Sequence, residues 1–375
     1  MSDPSGIKAR EYALDALVRI NEEGAYANIL VPRVLERSDL DARDRGLVTE
    51  LVYGATRARR ACDWLVDRFL FEPVEPRVRA ALQMGAYQLV HLEKPPHAAV
   101  STTVGASPKR ARGLVNAVLR RVAEAPIDWP DDGTWLSYPD WIIERLVDDL
   151  GDDDAIAALK RMNRAAEVST RPDGYVQDRA SQFVVAAVGA ERNELVLDVC
   201  AAPGGKATAM AETGAHVVAA DRRPKRVVLV RDNSGRLGYE NVAAVAADGN
   251  QPPFRPRRFD RVLVDAPCSG LGVLRRRPDA RWRVTEDAVD RLAVVQLDLL
   301  TAAADLVRPG GTLVYSVCTL TRRESLDVVD SFTDRRGDLE AVPPGDPWRP
   351  WGSGGMLLPQ DQDTDGMVVF RWKVG

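Results

Sequence analysis

Two cysteines stand where the chain could use a thiol in chemistry, in the segments Asp265–Gly270 (DAPCSG) and Tyr315–Leu320 (YSVCTL). A thiolate that adds to carbon 6 of a pyrimidine makes carbon 5 of the ring able to attack a methyl group. A free thiol has a pKa of about 8.5, so a nucleophilic Cys268 or Cys318 needs positive charge or a base nearby. Asp265 could donate a hydrogen bond to ring nitrogen 3 and so stabilise the adduct. A single cysteine in such a place is more often a small buried apolar side chain, and it is the pair that favours catalysis.

A glycine-rich loop, Asp198–Lys206 (DVCAAPGGK), follows an earlier predicted strand. Gly204 and Gly205 let a ligand approach the backbone, and the start of the next helix offers free N–H groups to a carboxylate. Three further predicted strands also end in aspartates, so carboxylates line the edge where open α/β sheets bind ligands. These aspartates are Asp221, Asp248 and Asp265.

A dinucleotide is one alternative ligand for this edge. The glycine pattern is not GxGxxG, and the acidic strand ends would repel a pyrophosphate. S-adenosylmethionine carries a sulfonium cation and no phosphate, so it suits the acidic edge better. The alternative for Asp198 and Asp265 is that they only cap loops. Cys200, inside the glycine loop, is interpreted as packing or contacting the cofactor rather than as a catalytic residue, and Cys62 as a core residue.

The elements that must position these residues alternate between strand and helix from about residue 176 onward. Short apolar strands separated by helices predict a parallel, doubly wound sheet. The predicted strands are 195–199, 216–220, 242–246, 261–265 and 312–316, and the helices include 206–212, 224–237 and 286–307.

The first part of the chain has apolar residues at helical spacing and no strand-like alternation. We therefore predict α + α/β architecture in three parts: an all-helical domain at 5–125, an acidic linker with connector helices at 126–170, and a Rossmann-like domain at 171–375. The length of 375 residues agrees with two domains.

Composition excludes several classes of protein. The chain is 45% hydrophobic, which argues against wholesale disorder, and it has no long apolar run to span a membrane. Its four cysteines form no CxxC pair, so we expect neither a metal site nor a disulfide scaffold. No signal peptide is evident, and we expect a cytoplasmic monomer.

The net charge of −4 argues mildly against a nucleic-acid partner, but it is unevenly distributed. Residues 126–170 hold 11 acidic and 4 basic residues, and the rest of the chain is neutral to basic. A basic cluster follows Cys268 directly, and it is either a solvated surface or the site of contact with RNA phosphates. Its residues are Arg275, Arg276, Arg277 and Arg281.

Several motifs resemble the RNA cytosine-5 methyltransferases, among them DVCAAPGGK, VDAPCSGLGVLRRRPDARW and LVYSVCTLTRRES. The segments ARDRGLVTELVYGATRAR and GLVNAVLRRV resemble a NusB-like RNA-binding domain, as in the ribosomal branch of that family. The resemblance implies S-adenosylmethionine as cofactor, RNA as partner, and 5-methylcytosine in 16S ribosomal RNA as product. The target base must then leave any stacked helix to reach the thiol.

The resemblance also implies roles for individual residues. Cys318 matches the nucleophile, Cys268 the cysteine that assists product release, and Lys206 and Asp265 border the target base. The implied cofactor-binding residues are Asp198, Cys200, Ala201, Ala202, Pro203, Gly204, Gly205, Lys206, Asp221, Arg226, Asp248 and Asp265.

One departure from the family concerns residues 163–177, where members usually carry a small α/β subdomain that helps to hold RNA. Two other functions stay open: the same chemistry on another RNA such as transfer RNA, and a non-catalytic RNA-binding or assembly factor.

Overall fold

The computed structural model describes residues 4–375, without the side chains of residues 4 and 5. The described chain forms two compact units. One contains the residues up to Glu144 together with Arg276–Arg283, and the other contains Arg145–Arg275 together with Val284–Gly375. Residues 126–144 of the predicted linker lie in the first unit and residues 145–170 in the second. The eight residues Arg276–Arg283, which follow the Cys268 motif, belong to the helical unit, and the three-part division stays a prediction.

The helical unit is built from helices that bury one apolar face. Asp41 caps one helix by accepting a hydrogen bond from the Asp44 amide, and Pro76 begins another, where its missing N–H costs nothing. Tyr87 packs against Gly54 so closely that a β-carbon there would lie 2.0 Å from the ring. The helices are α1 (Pro4–Glu23), α2 (Ala27–Glu36), α3 (Ala42–Arg57), α4 (Arg59–Asp67), α5 (Pro76–Val90), α6 (Pro96–Ala106), α7 (Arg112–Glu124) and α8 (Asp132–Leu136), with 3₁₀ turns at Lys109–Ala111 and Pro278–Trp282.

The second unit contains a mixed sheet with helices on it. Its strands are β1 (Leu195–Asp198), β2 (His216–Asp221), β3 (Val242–Ala246), β4 (Phe259–Asp265), β5 (Val307–Val317), β6 (Leu339–Ala341), β7 (Arg349–Trp351), β8 (Gly354–Leu357) and β9 (Met367–Val374). The remaining helices are α9 (Asp140–Leu150, which crosses the boundary at Glu144), α10 (Asp152–Met162), α11 (Arg179–Val188), α12 (Gly205–Ala211), α13 (Pro224–Leu237), α14 (Glu286–Ala304), α15 (Leu326–Thr333) and α16 (Pro359–Gln362).

The strand order is β3-β2-β1-β4-β5-β9-β8-β7, and β6 pairs with β9. The first five strands in this order are parallel, which confirms the predicted doubly wound sheet, and the others add antiparallel pairs. Because β1, β2, β4 and β5 are parallel, their carboxyl ends meet at one edge, and this edge carries the predicted site.

Residues 163–177, called the connector segment below, are part of this second unit and pack beside its sheet edge. Thr170 bridges to Val176, and the loop between them places Arg171 beside α12. Within residues 4–375, no helix is both long and apolar enough to cross a bilayer.

Candidate active site

The glycine loop runs from the end of β1 into α12. Gly204 has φ = 104°, a conformation that L side chains rarely adopt, and a β-carbon there would meet the Val230 backbone at 3.2 Å. At Gly205 a β-carbon would lie 2.9 Å from the ring of Tyr175. The loop is therefore closely packed. Gly204 requires glycine for its backbone conformation, and a side chain at Gly205 would have to displace the ring of Tyr175.

Hydrogen bonds fix the rest of this loop to neighbouring elements. The Ala201 amide donates to the Ala220 carbonyl oxygen on β2 at 2.8 Å. From α13, Arg226 donates to the Ala202 carbonyl oxygen at 2.6 Å and Asn233 to the Pro203 carbonyl oxygen at 2.9 Å. Most of the predicted cofactor residues are thus held in one rigid turn.

Asp198 stands at the base of this turn with its side chain buried. Among the described residues, neither of its carboxylate oxygens has a hydrogen-bond partner of ordinary geometry. Burial, together with the nearby Asp265 carboxylate, raises the pKa of Asp198 to about 8. A buried acceptor of this kind calls for a donor or a cation from a ligand.

The other strand ends supply carboxylates in different environments. Asp221 is buried at the end of β2, accepts the Arg223 amide at 2.9 Å, and lies 3.6 Å from Arg226 Nε. Asp248 is exposed and accepts the amide of Asn250 at 3.0 Å. The acidic edge and the glycine turn fit S-adenosylmethionine, which carries cationic groups and ribose hydroxyls but no phosphate.

Asp265 joins the cofactor loop to the strands that carry the cysteines. Its carboxylate accepts hydrogen bonds from Lys206 Nζ and from Ser316 Oγ, each at 2.7 Å. Burial alone would lower the pKa of Lys206, but the Asp265 carboxylate and Cys318 raise it above its usual value. The proton shared by this pair therefore lies on Lys206. A hydrogen bond from Asp265 to ring nitrogen 3 of the cytosine stays a prediction, and it requires that Lys206 first give its proton to Asp265.

The two cysteine sulfurs lie 3.2 Å apart, within hydrogen-bond distance, and neither cysteine forms a disulfide. The hydrogen bond to Cys318 and burial raise the pKa of Cys268 well above that of a free thiol. The raised pKa keeps Cys268 protonated, so Cys268 can donate to a Cys318 thiolate, although the contact by itself allows either thiol as donor. Lys206 is the cation whose charge acts on Cys318.

Cys200 differs from this pair. Burial and the surrounding aspartates, Asp198 first, raise its pKa far above the usual thiol value. A thiol that stays protonated is a poor nucleophile, which favours the interpretation of Cys200 as a packing or cofactor-contact residue.

A buried glutamate near the cysteines was missed from the sequence. Glu324 accepts hydrogen bonds from Ser269 on the Cys268 loop and from Thr319 and Thr321 after Cys318. The signal lies in LTRRES, directly after the cysteine motif, but a glutamate in a charged run is typical of a solvated surface.

Two of the four arginines predicted to contact RNA are buried, which corrects that prediction. Arg275 is 2% exposed, and its guanidinium donates to Asp178, Asp363 and Asp365. Arg281 is fully buried, donates to the carbonyl oxygens of Arg57 and Ser137, and lies 3.8 Å from the centroid of the Tyr138 ring. Neither guanidinium is available to a phosphate.

The other two arginines of that cluster remain accessible. Arg277 is exposed and Arg276 is half-buried. Contact of these two with RNA stays a prediction.

Comparisons with known proteins agree with this architecture. Residues 185–372 match the model of the 16S rRNA methyltransferase RsmB/F family, and residues 7–124 match that of the NusB family. The chain is 32% identical to the probable ribosomal RNA small subunit methyltransferase B of Bacillus subtilis, over 88% of this chain and 89% of that protein. It is 30% identical to the protein of the same description from Synechocystis, over 98% and 99%.

The crystal structure of PH0851 has the same fold, with a TM-score of 0.81 at 21% identity over 100% of this chain and 99% of that one. The predicted resemblance and the predicted cofactor are both confirmed. The chain belongs to the 16S rRNA methyltransferase RsmB/F family and is an S-adenosylmethionine-dependent methyltransferase with an N-terminal NusB domain.

Proposed function

We propose that this protein methylates carbon 5 of a cytosine in 16S ribosomal RNA, with Cys318 as the nucleophile. The observation that carries the proposal is the thiol pair, whose sulfurs lie 3.2 Å apart, with a raised pKa at Cys268. The Lys206 ammonium acts on Cys318 from the cofactor loop. A thiolate beside a cation and next to the methyl donor's loop is the arrangement that pyrimidine activation requires.

The reaction begins when Cys318 loses its proton to solvent and its sulfur bonds to carbon 6 of the cytosine. The electrons of the C5=C6 double bond move to carbon 5. S-adenosylmethionine, held by the Asp198–Lys206 loop, would supply the electrophilic methyl group that carbon 5 attacks and would leave as S-adenosylhomocysteine. The carbon-5 proton then leaves to water, the C5=C6 bond re-forms, and the bond from Cys318 to carbon 6 breaks to return the thiolate.

The residues around the pair have separate tasks in this scheme. Lys206 holds a proton beside Asp265 and stabilises negative charge on Cys318. Ser316 fixes the orientation of the Asp265 carboxylate. Cys268 lies against the sulfur that must depart, so we assign it to the release of the product.

The proposal that the target is ribosomal RNA is supported by the curated relatives and by the helical unit. Both curated relatives are described as acting on small-subunit ribosomal RNA, and the NusB match covers residues 7–124. Arg277, which is exposed, is a candidate for phosphate contact. The target cytosine must be unstacked before its carbon 6 can reach Cys318.

The test combines two cysteine variants with small-subunit RNA and labelled cofactor. Cys318→Ala should abolish transfer of the methyl group. Cys268→Ala should accumulate a covalent protein–RNA complex, and Cys62→Ala, a buried thiol of the helical unit, is the matched control. Full activity of Cys318→Ala would overturn the nucleophile assignment.

Choice of target is tested separately by sequencing bisulfite-treated RNA from a deletion strain. Loss of a 5-methylcytosine from 16S ribosomal RNA is expected. Loss from transfer RNA instead would favour the same chemistry on another RNA, and no loss from any RNA would favour an assembly factor.

A further inference from the structure

Glu324 lies in the turn between β5 and α15 and is fully buried. Its Oε1 accepts the Ser269 amide at 2.7 Å and Gln296 Nε2 at 3.1 Å. Its Oε2 accepts the hydroxyls of Thr319 at 3.0 Å and Thr321 at 3.1 Å, and also that of Ser269. One carboxylate thus receives five hydrogen bonds inside the protein.

These partners connect Glu324 to both cysteines of the pair. Ser269 directly follows Cys268, and Thr319 directly follows Cys318. The hydroxyls of Ser269 and Thr319 also lie 3.0 Å from each other. The two loops that carry the thiols are therefore fastened to the same carboxylate, which fixes the sulfur-to-sulfur distance.

Donors surround this carboxylate, and an ionised side chain, which can only accept, satisfies all of them. A buried negative charge therefore stands at the peptide that follows Cys268. Lys206, which is linked through Asp265 to Ser316 at the end of β5, provides a positive charge that acts on Cys318. A carboxylate is thus bonded to the amide that follows Cys268, whereas an ammonium acts on Cys318.

Other charged or titratable groups face the pair without reversing this asymmetry. Asp265 is bound to Lys206 and to Ser316, and Asp198 interacts electrostatically with Lys206. The Tyr315 hydroxyl donates to the Glu324 carbonyl oxygen at 2.7 Å, and burial holds its pKa well above the usual value, so it stays neutral. The two opposed charges that act on the thiols are those of Glu324, on Cys268, and of Lys206, on Cys318.

We propose that Glu324 is a positioning residue that assigns the negative charge of the thiol pair to Cys318, by holding its own charge against the Cys268 loop. The catalytic meaning of this assignment rests on the proposed function. The assignment itself concerns only which thiol ionises. The negative charge of Glu324 also contributes to the raised pKa of Cys268.

The test labels the purified full-length protein, without RNA or cofactor, with a substoichiometric amount of iodoacetamide at neutral pH. Peptide mass spectrometry then gives the ratio of alkylated Cys318 to alkylated Cys268. Only thiolates react appreciably, so this ratio reports the location of the charge. In the unsubstituted protein, label should enter Cys318.

Glu324→Gln keeps the size of the side chain and removes its charge. The ratio of alkylated Cys318 to alkylated Cys268 should therefore fall by about tenfold, which corresponds to a change of about 1 in the difference between the pKa values of the two thiols. Glu324→Asp keeps the charge and should restore most of the ratio. Glu340→Gln, on the exposed strand β6, is the control and should leave the ratio unchanged. An unchanged ratio in a folded Glu324→Gln protein would overturn the proposal.

A second pair of variants decides the matter if Glu324→Gln does not fold. Ser269→Ala removes a hydroxyl that ties Glu324 to the Cys268 loop, whereas Thr321→Val removes a hydroxyl that borders neither cysteine. The ratio should fall in the first and stay in the second. Equal ratios in both variants would overturn the proposal.

A methyl-transfer assay separates this inference from the proposed function. If the protein methylates RNA through Cys318 but Glu324→Gln leaves the labelling ratio unchanged, only the role of Glu324 is wrong. If the ratio shifts but no cytosine is methylated, the charge assignment stands and the proposed function fails.

Discussion

The Arg171 guanidinium donates to the Gly205 carbonyl oxygen at 2.6 Å, so the connector segment is bound directly to the glycine loop. The same guanidinium donates to Thr208 Oγ1 at 3.1 Å and to the Asp173 carboxylate. Tyr239 donates to that carboxylate as well, at 3.0 Å. This short segment thus supports the glycine loop and the start of α12.

Removal of the Arg171 guanidinium should destabilise the second unit and weaken its binding of the cofactor. Arg171→Met leaves the Asp173 carboxylate without its cation, and breaking a buried pair in this way costs about 3–5 kcal/mol of unfolding free energy. Denaturant unfolding and titration with S-adenosylmethionine measure the two effects. Arg164→Met, an exposed arginine of the same segment, is the control. If Arg171→Met binds the cofactor with unaltered affinity, the connector segment does not support cofactor binding by the glycine loop.

Asp198 gives the protein a defined dependence of stability on pH. Its pKa is about 8 in the folded chain, raised by burial, and near the ordinary carboxyl value when the chain is unfolded. Between these values the folded state holds a proton that the unfolded state has lost. The free energy of unfolding should therefore fall as the pH rises from about 4 to about 8, by up to about 1.4 kcal/mol for each unit of pH.

Asp198→Asn should flatten this dependence, since an amide does not titrate. Unfolding in denaturant at several pH values, without cofactor, measures it. Asp248→Asn changes an exposed carboxylate at the same sheet edge and should keep the slope of the unsubstituted protein. If Asp198→Asn has that slope too, Asp198 is ionised in the folded protein at neutral pH.

Lys206 should be needed for turnover more than for folding. Lys206→Met retains much of the side-chain volume but removes the ammonium that acts on Cys318 and binds Asp265. Methyl transfer should fall by about 100-fold or more, the effect of losing one preorganised electrostatic donor. The measurement is kcat with saturating cofactor and RNA. Lys225→Met, on the exposed face of α13, should keep normal activity, and equal kcat values for the two variants would contradict the role.

The sequence predicted the cofactor edge well because parallel strands place their carboxyl ends together. Asp198, Asp221 and Asp265 could be assigned to one edge from strand order alone. The 2.7 Å contact of Lys206 with Asp265 joins residues 59 positions apart, and it follows from β1 and β4 being neighbours in the sheet. Local motifs together with a known topology were sufficient here.

Burial of charged residues could not be predicted in the same way. Arg275 and Arg281 stand in a basic run that is typical of a solvated surface. Their partners come from distant parts of the chain, since Asp365 is 90 residues from Arg275 and Arg57 is 224 residues from Arg281. Glu324 was missed for the same reason, because its donors Ser269 and Gln296 are 55 and 28 residues away in the chain. Such networks become visible only when tertiary contacts are known.

The basic run should therefore divide into two functional classes when it is mutated. Arg275→Met leaves three carboxylates without their shared cation, and it should cost about 3–5 kcal/mol of unfolding free energy. Arg277→Ala, at an exposed position, should leave stability unchanged. It should weaken RNA binding and reduce the slope of log affinity against log salt concentration by about 1, the loss of one phosphate contact. Denaturant unfolding and filter binding at several salt concentrations test the pair. An Arg277→Ala protein with the original salt slope would remove this residue from the RNA interface, because a cation that neutralises a phosphate must change the number of counterions released.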